Sequence, residues 1–118
     1  MSWMQTRMTE LVGRALELVA FRHSLVASNL ANIDTPGYRT RDIDFSRELR
    51  RALDGLELPG SAPRVTGVRG LIERPDGNNV SLEREGLMLA ETQLRYRLGV
   101  QLLRVEFRRL LSAINEGR

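Results

Sequence analysis

Residues 81–114, SLEREGLMLAETQLRYRLGVQLLRVEFRRLLSAI, carry the longest periodic pattern in the chain. Leu82, Leu89, Tyr96, Leu103 and Leu110 recur every seven residues, and the row Gly86, Gln93, Val100, Phe107, Ile114 follows four residues on. Together the two rows make a sustained heptad seam, which predicts a helix about 50 Å long if unbroken. Ser81 offers an N-cap oxygen, and Glu83 and Glu85 put negative charge in the first turn, where it suits the helix dipole. Arg104, Arg108 and Arg109 are read as positive charge toward the C-terminal end. Leu87, Leu94, Leu98 and Val105 widen the seam, so this helix is expected to meet more than one neighbour.

A second helix is expected at the other end of the chain, over about 9–32, where there is no proline and a single glycine. Leu11, Leu18 and Leu25 are seven apart, as are Val12, Val19 and Val26, with Met8 and Ala15 on the same side. The row Met8, Ala15, Arg22, Asn29 turns polar along its length. That fits either a helix end emerging into solvent or a polar contact that sets register in a packed bundle. Pro36 disfavours helix for the residue before it, and Pro36-Gly37 suits the centre of a type II turn, so the helix should stop near Thr35.

Between the helices the pattern weakens. Ile43 and Phe45 share one side of an extended segment, and a short helix is expected from Phe45 to Leu53, with Asp44 as N-cap and Gly55 as terminator. Phe45, Leu49 and Leu53 would form its apolar face. From Glu57 to Asn79, prolines and glycines including Pro59, Gly60, Pro63, Gly67 and Gly70 punctuate a stretch read as linker or loop. Val65, Val68, Leu71 and Ile72 suit a short strand or docking on a helix equally, and Pro75-Asp76-Gly77-Asn78 reads as a turn. The expected fold is mainly α: two long terminal helices paired as a coiled-coil-like bundle, with a short extended and irregular middle. The segments are 1–34, 35–80 and 81–118.

Composition removes several classes of function. The 118 residues suit one small domain, and the 42% apolar content suits a helical seam better than a thick core. With no cysteine and only His23, thiol chemistry, thiolate zinc and two-histidine zinc motifs are excluded. No apolar run approaches the roughly 20 residues of a membrane span, and Glu10, Arg14 and Glu17 interrupt any secretory-signal core. Asp42 and Asp44 are read as caps beside the short helix. Neither an active site nor a cofactor or metal site is expected.

Periodicity leaves two arrangements open. Stripes this broad are not fully buried in a simple hairpin, so other copies could cover them; alternatively, a compact hairpin adaptor could use the short helix as a lid. An arginine-rich nucleic-acid-binding module is a further rival, since all eighteen cations are arginine, but fifteen acidic residues are interleaved with them.

The stretch RHSLVASNLANIDTPGY, residues 22–38, resembles the N-terminal signature of bacterial flagellar rod, hook and hook-associated axial proteins. Their Asn-x-Ala-Asn-x-x-Thr-x-Gly-Tyr core is present as Asn29 to Tyr38. RDIDF at 41–45 and DGNNVSLERE at 76–85 are similar to the FlgB family of proximal rod proteins, as are parts of 94–114. The resemblance implies a structural subunit of the axial drive shaft that passes torque from motor to hook, and not an enzyme. It implies Asn29, Asn32, Thr35, Pro36, Gly37 and Tyr38 as the assembly corner. Leu11, Val12, Ala15, Leu18, Val19, Leu25 and Val26 would pack subunits together, with Leu89, Tyr96, Val100, Leu103, Phe107, Leu110 and Ile114 opposite them. Implied partners are copies of itself, other rod proteins, export-gate and basal-ring adaptor proteins and the flagellar type III export apparatus, with no nucleic acid. Implied location is the periplasm-spanning rod, reached without a cleaved signal peptide.

Overall fold

The computed structural model describes residues 3–57 and 61–117; Pro59 and Gly60, read as loop punctuation, and the chain ends Met1, Ser2 and Arg118 lie outside the described residues. In chain order the elements are α1 (Trp3–Ala31), β1 (Arg41–Ile43), α2 (Phe45–Leu53), β2 (Val65–Gly67) and α3 (Leu82–Glu116). The two terminal helices pack against each other and the molecule measures 69 × 27 × 19 Å. They run antiparallel, because Asn29 meets Glu85, Leu16 meets Gly99, and Thr6 and Glu10 sit beside Leu103 and Leu110.

Local chemistry accounts for the element ends. Asp44 caps α2 by accepting from the Arg47 backbone N–H at 3.1 Å, and Gly55, with φ 68°, ends it in the left-handed conformation that glycine adopts at least cost. Arg7 of α1 donates to the exposed carbonyls of Ala52 and Leu53, so the last turn of α2 is tied down by a cation from another helix. Ser81 caps α3 by accepting from Arg84 N–H at 3.2 Å. Two expected boundaries shift. α1 begins about two turns earlier than its apolar pattern, at Trp3, and α3 continues to Glu116. Arg104, Arg108 and Arg109 therefore lie short of the last turn, which contains no basic residue.

The core is formed by Leu18, Val19 and Leu25 of α1 with Ile43 and Phe45, supported by Ala15, Phe21 and Leu49. Val12 and Val26 are also buried, and Leu11 is half-buried. The α1 stripe is thus largely consumed inside the chain, with α3 on one side and α2 with β1 on the other. Phe45 and Leu49 of α2 face inward as expected; Leu53 instead points to solvent, and Glu48 occupies the inner face.

The face of α3 turned to α1 differs from the expected seam. Its innermost row is Glu85, Thr92 and Gly99, all buried. A Cβ at Gly99 would lie 2.7 Å from Leu16 Cδ2, so the helices approach more closely there than a side chain permits. Leu89, Val100, Leu103 and Leu110 are half-buried at the margin of this contact, while Tyr96, Phe107 and Ile114 are exposed. Leu87, Leu94, Leu98, Leu102 and Val105 are exposed as well. Each such side chain forgoes about 1.5–3 kcal/mol relative to full burial. α2 covers α1 much as a compact hairpin would need, but within the chain most of the outer surface of α3 is uncovered.

The stretch read as linker is partly ordered by pairing. β2 runs antiparallel to β1 with Arg41 opposite Gly67, Asp42 opposite Thr66 and Ile43 opposite Val65, and Val68 N–H extends the ladder to Thr40 carbonyl at 3.1 Å. β2 supplies part of the backbone pairing that this segment needs near the core, the Thr40 carbonyl included, although its own side chains are exposed.

Candidate functional site

The chain leaves α1 through a corner whose parts interlock. Tyr38 N–H donates to Thr35 carbonyl at 3.2 Å, closing a turn over Pro36 and Gly37, and Gly37 has φ 75°, the value a type II turn requires at its third position. Asn32 binds on both sides of the helix end: its Nδ2 donates to Ser28 carbonyl at 2.8 Å and its Oδ1 accepts from Thr35 Oγ1 at 3.0 Å. A second turn docks on this one. Gly37 N–H donates to Asp76 carbonyl at 2.9 Å, and Gly77, with φ 87°, sits where a Cβ would be 3.4 Å from Gly37 Cα.

Asn78, fully buried, donates from Nδ2 to the carbonyls of Asn32 and Thr35 at 2.9 and 2.8 Å. Each of these carbonyls also accepts from a backbone N–H of the turn, so Asn78 adds a second bond to both and ties the corner to the stretch before α3. Arg74 adds bonds to Ile33 and Val80 carbonyls, and Asn79 accepts from Thr40 N–H at 2.7 Å. The stretch before α3 thus acts as the C-cap of α1.

Asn29 is the hub. It is 1% exposed and uses its whole amide: Nδ2 donates to Arg41 carbonyl at 2.9 Å and Glu85 Oε2 at 3.1 Å, while Oδ1 accepts from Tyr38 Oη at 3.0 Å and Arg41 N–H at 3.2 Å. One side chain therefore joins α1, the corner, β1 and α3. The polar end of the Met8–Asn29 row is not a helix end emerging into solvent; it is a register-setting contact.

A line of charge continues from this hub. Glu85, 0% exposed, accepts from Arg84 at 2.8 Å, and Arg84 also reaches Asp42. Asp42 takes a bidentate pair of bonds from Arg22, both 3.0 Å. Arg22 Nη1 lies 3.5 Å from Glu91, which holds Arg95 at 2.9 Å, and the Arg95 guanidinium stacks 4.1 Å from the centre of the Phe45 ring. Asp42 is therefore not a cap, as Asp44 is, but a buried acceptor between two arginines from different helices.

Burial alone would raise the Asp42 pKa. Hydrogen bonds from Arg22, Ile43 N–H and Arg84 outweigh it and hold the carboxyl below its ordinary 3.8. Burial would likewise lower Arg22, but its hydrogen bond to Asp42 and the nearby carboxylates raise it above the ordinary guanidinium value. A depressed carboxylate contributes stability that is present above its unfolded pKa and lost as pH falls through the folded one. Acid titration is thus expected to weaken the fold below about pH 4, and less so in an Asp42→Asn variant, as urea midpoints at stepped pH would measure.

Of the expected corner residues, Asn29, Asn32, Thr35, Gly37 and Tyr38 converge in this network, and Pro36 shapes the turn from an exposed position. The expected seam residues do not converge on one surface; those of α1 are mostly core and several of α3 face outward. Sequence reading missed Arg22, Asp42, Asn78, Arg84 and Glu85 as a set. Arg22, Arg84 and Glu85 carried only polarity at helix-facing spacing, which an apolar pattern search passes over, and Asp42 and Asn78 lie outside the helices. Among the described residues no cluster could hold a metal ion, and no helix is long and apolar enough to cross a membrane.

Residues 14–39, which include α1 from Arg14 onward and the whole corner, match the family described as flagella basal body rod protein. The flagellar basal body rod protein FlgB of Salmonella typhimurium is 32% identical over 123 aligned residues, covering 87% of this chain and 89% of that protein. FlgB of Yersinia enterocolitica is 31% identical, over 87% of this chain and 90% of that protein. FlgB of Cereibacter sphaeroides is 35% identical over 114 residues, covering 86% and 88%. The similarity therefore includes α3 and the middle as well as the corner, and the chain belongs to the FlgB family of flagellar basal body rod proteins.

Proposed function

We propose that this chain builds the proximal part of the axial drive shaft, using the uncovered face of α3 to bind neighbouring subunits and the corner to aim the middle segment away from the helical layer. As a member of its family it is a structural subunit of the basal body rod and not an enzyme. The observation that supports the packing role is the exposure of large apolar side chains along α3, with Leu94 at 68% and Phe107 at 64%. A surface of this kind on a small chain marks an association site.

In this reading the segments 1–34 and 81–118 are the packing units, and 35–80 forms the projecting unit. Neighbours would be copies of the chain, other rod proteins, and export-gate and basal-ring adaptor proteins, with delivery by the type III export apparatus to the periplasm-spanning rod without signal cleavage. The role is mechanical: apolar rows buried between subunits resist shear under torque.

The α1 residues expected to pack subunits, Val12, Leu18, Val19, Leu25 and Val26, would act indirectly, by holding α1 against α2 and α3. Tyr96, Val100, Leu103, Phe107, Leu110 and Ile114 would touch neighbours, with Leu89 at the margin. Phe107→Asp is therefore expected to leave the circular dichroism spectrum and export of the chain unchanged, because the residue is exposed in the free molecule. It should abolish swimming, because assembly would bury an unpaired charge. Normal swimming in that variant would remove the packing role of this face.

A further inference from the structure

The uncovered surface of α3 has two parts of different shape. On one flank, α1 and α3 enclose clefts of about 350 and 390 Å3, one bordered by Ala20, His23 and Tyr96 and the other by Thr9, Leu103 and Phe107. Val100 lies between those levels on α3, so the two clefts follow one another along the same α1–α3 seam, a groove in two parts. On the opposite flank, Leu87 and Leu94 in one heptad row and Leu98 and Val105 in the next form a convex ridge. The ridge spans the same levels of the helix as the groove. Both are apolar, and they are not the same patch.

Building on the rod-subunit reading above, we infer that the ridge of one copy seats in the α1–α3 groove of the next, a head-to-tail contact between identical chains. A contact between unlike patches repeats instead of closing on a pair, which a polymer requires and a two-fold dimer does not. Charge supports a second copy as the occupant. At one end the groove is bordered by two carboxylates, Glu10 and Glu106, and Arg108 continues the Leu87–Leu94 row at that level; Arg97 and His23 border the other end. The acidic end of each groove would therefore meet the basic C-terminal part of a ridge, a match that two ridges facing each other would not make.

The chain has no cysteine, so introduced thiols report contacts without background. Val105→Cys on the ridge and Phe107→Cys in the groove are both exposed changes at the same level of α3. Each variant, and the double variant, would replace the native chain in cells, and isolated basal bodies would be treated with a short bismaleimide. The double variant is expected to give a ladder of covalent multimers. Each single variant should give none, and the two singles expressed together should stop at a dimer. A dimer from Val105→Cys alone would show two ridges facing each other and overturn the proposal, as would basal bodies that contain the double variant but yield no ladder. Leu94→Cys with Tyr96→Cys supplies a second pair if the first fails to incorporate, and failure of both pairs overturns the pairing. Absence of the unaltered chain from basal bodies would remove the rod reading itself.

Discussion

Asp42→Ala is expected to destabilise the folded chain by about 3–5 kcal/mol, the range for removing one partner of a buried ion pair. The alanine leaves the guanidinium groups of Arg22 and Arg84, whose side chains are 11% and 19% exposed, facing each other without the anion between them. It also removes the acceptor for Ile43 N–H, itself buried. Urea unfolding would measure the loss as a lowered midpoint at unchanged slope. The double variant Arg22→Leu/Asp42→Leu separates causes. If the cost of Asp42→Ala is an orphaned charge, the apolar pair should be the more stable of the two. If the pair itself carried the stability, both would be equally poor. The functional expectation follows: losing this contact frees α3 to slide along α1, so assembly should fail even at temperatures where the helices persist.

Asn29→Ala should cost about 3 kcal/mol, since truncating a buried polar group costs about 1–3 kcal/mol for each partner left unsatisfied, and water can repair some of them. The partners stranded are Glu85 Oε2 and both backbone groups of Arg41, while Tyr38 Oη keeps Ser28 Oγ at 3.3 Å. Asn29→Asp is the sharper comparison. It keeps the shape but places a second carboxylate about where Asn29 Nδ2 now lies, 3.1 Å from Glu85. Like charges at that distance cannot both ionise comfortably, so one should take up a proton. Relative to the native chain, Asn29→Asp should recover stability as pH falls toward 5. A variant uniformly weakened at every pH would mean that Glu85 does not share the site.

These two residues explain why a subunit of a rotating shaft has a polar centre. Apolar rows on long helices tolerate sliding by a heptad, because every register buries similar side chains. The Asn29–Glu85 and Arg22–Asp42–Arg84 contacts have one register in which all partners meet. Setting α1 against α3 also sets the shape of the groove between them.

Much of the architecture was legible in the residues. Period-seven rows placed both long helices, and Asp44, Gly55 and Ser81 marked the ends of α2 and the start of α3 through side-chain and backbone preferences that act locally. The turn at Pro36-Gly37 was equally local. Asn29 to Tyr38 stood out as a corner before any contact was known. Tertiary structure alone decided which face of α3 turns to α1. Apolar periodicity points to Leu89, Tyr96, Leu103 and Phe107, whereas the inner row is Glu85, Thr92 and Gly99. Two helices that approach closely need small residues at the crossing, as the 2.7 Å clearance at Gly99 shows, and the corner needs buried polar partners. Hydrophobicity measures how much a residue prefers to leave water, but not whether its own chain or a neighbour will cover it. The sequence by itself therefore determined that α3 carries more apolar surface than one helix contact covers; the folded chain decided that its most apolar faces point outward, because the inner face had to be small and polar.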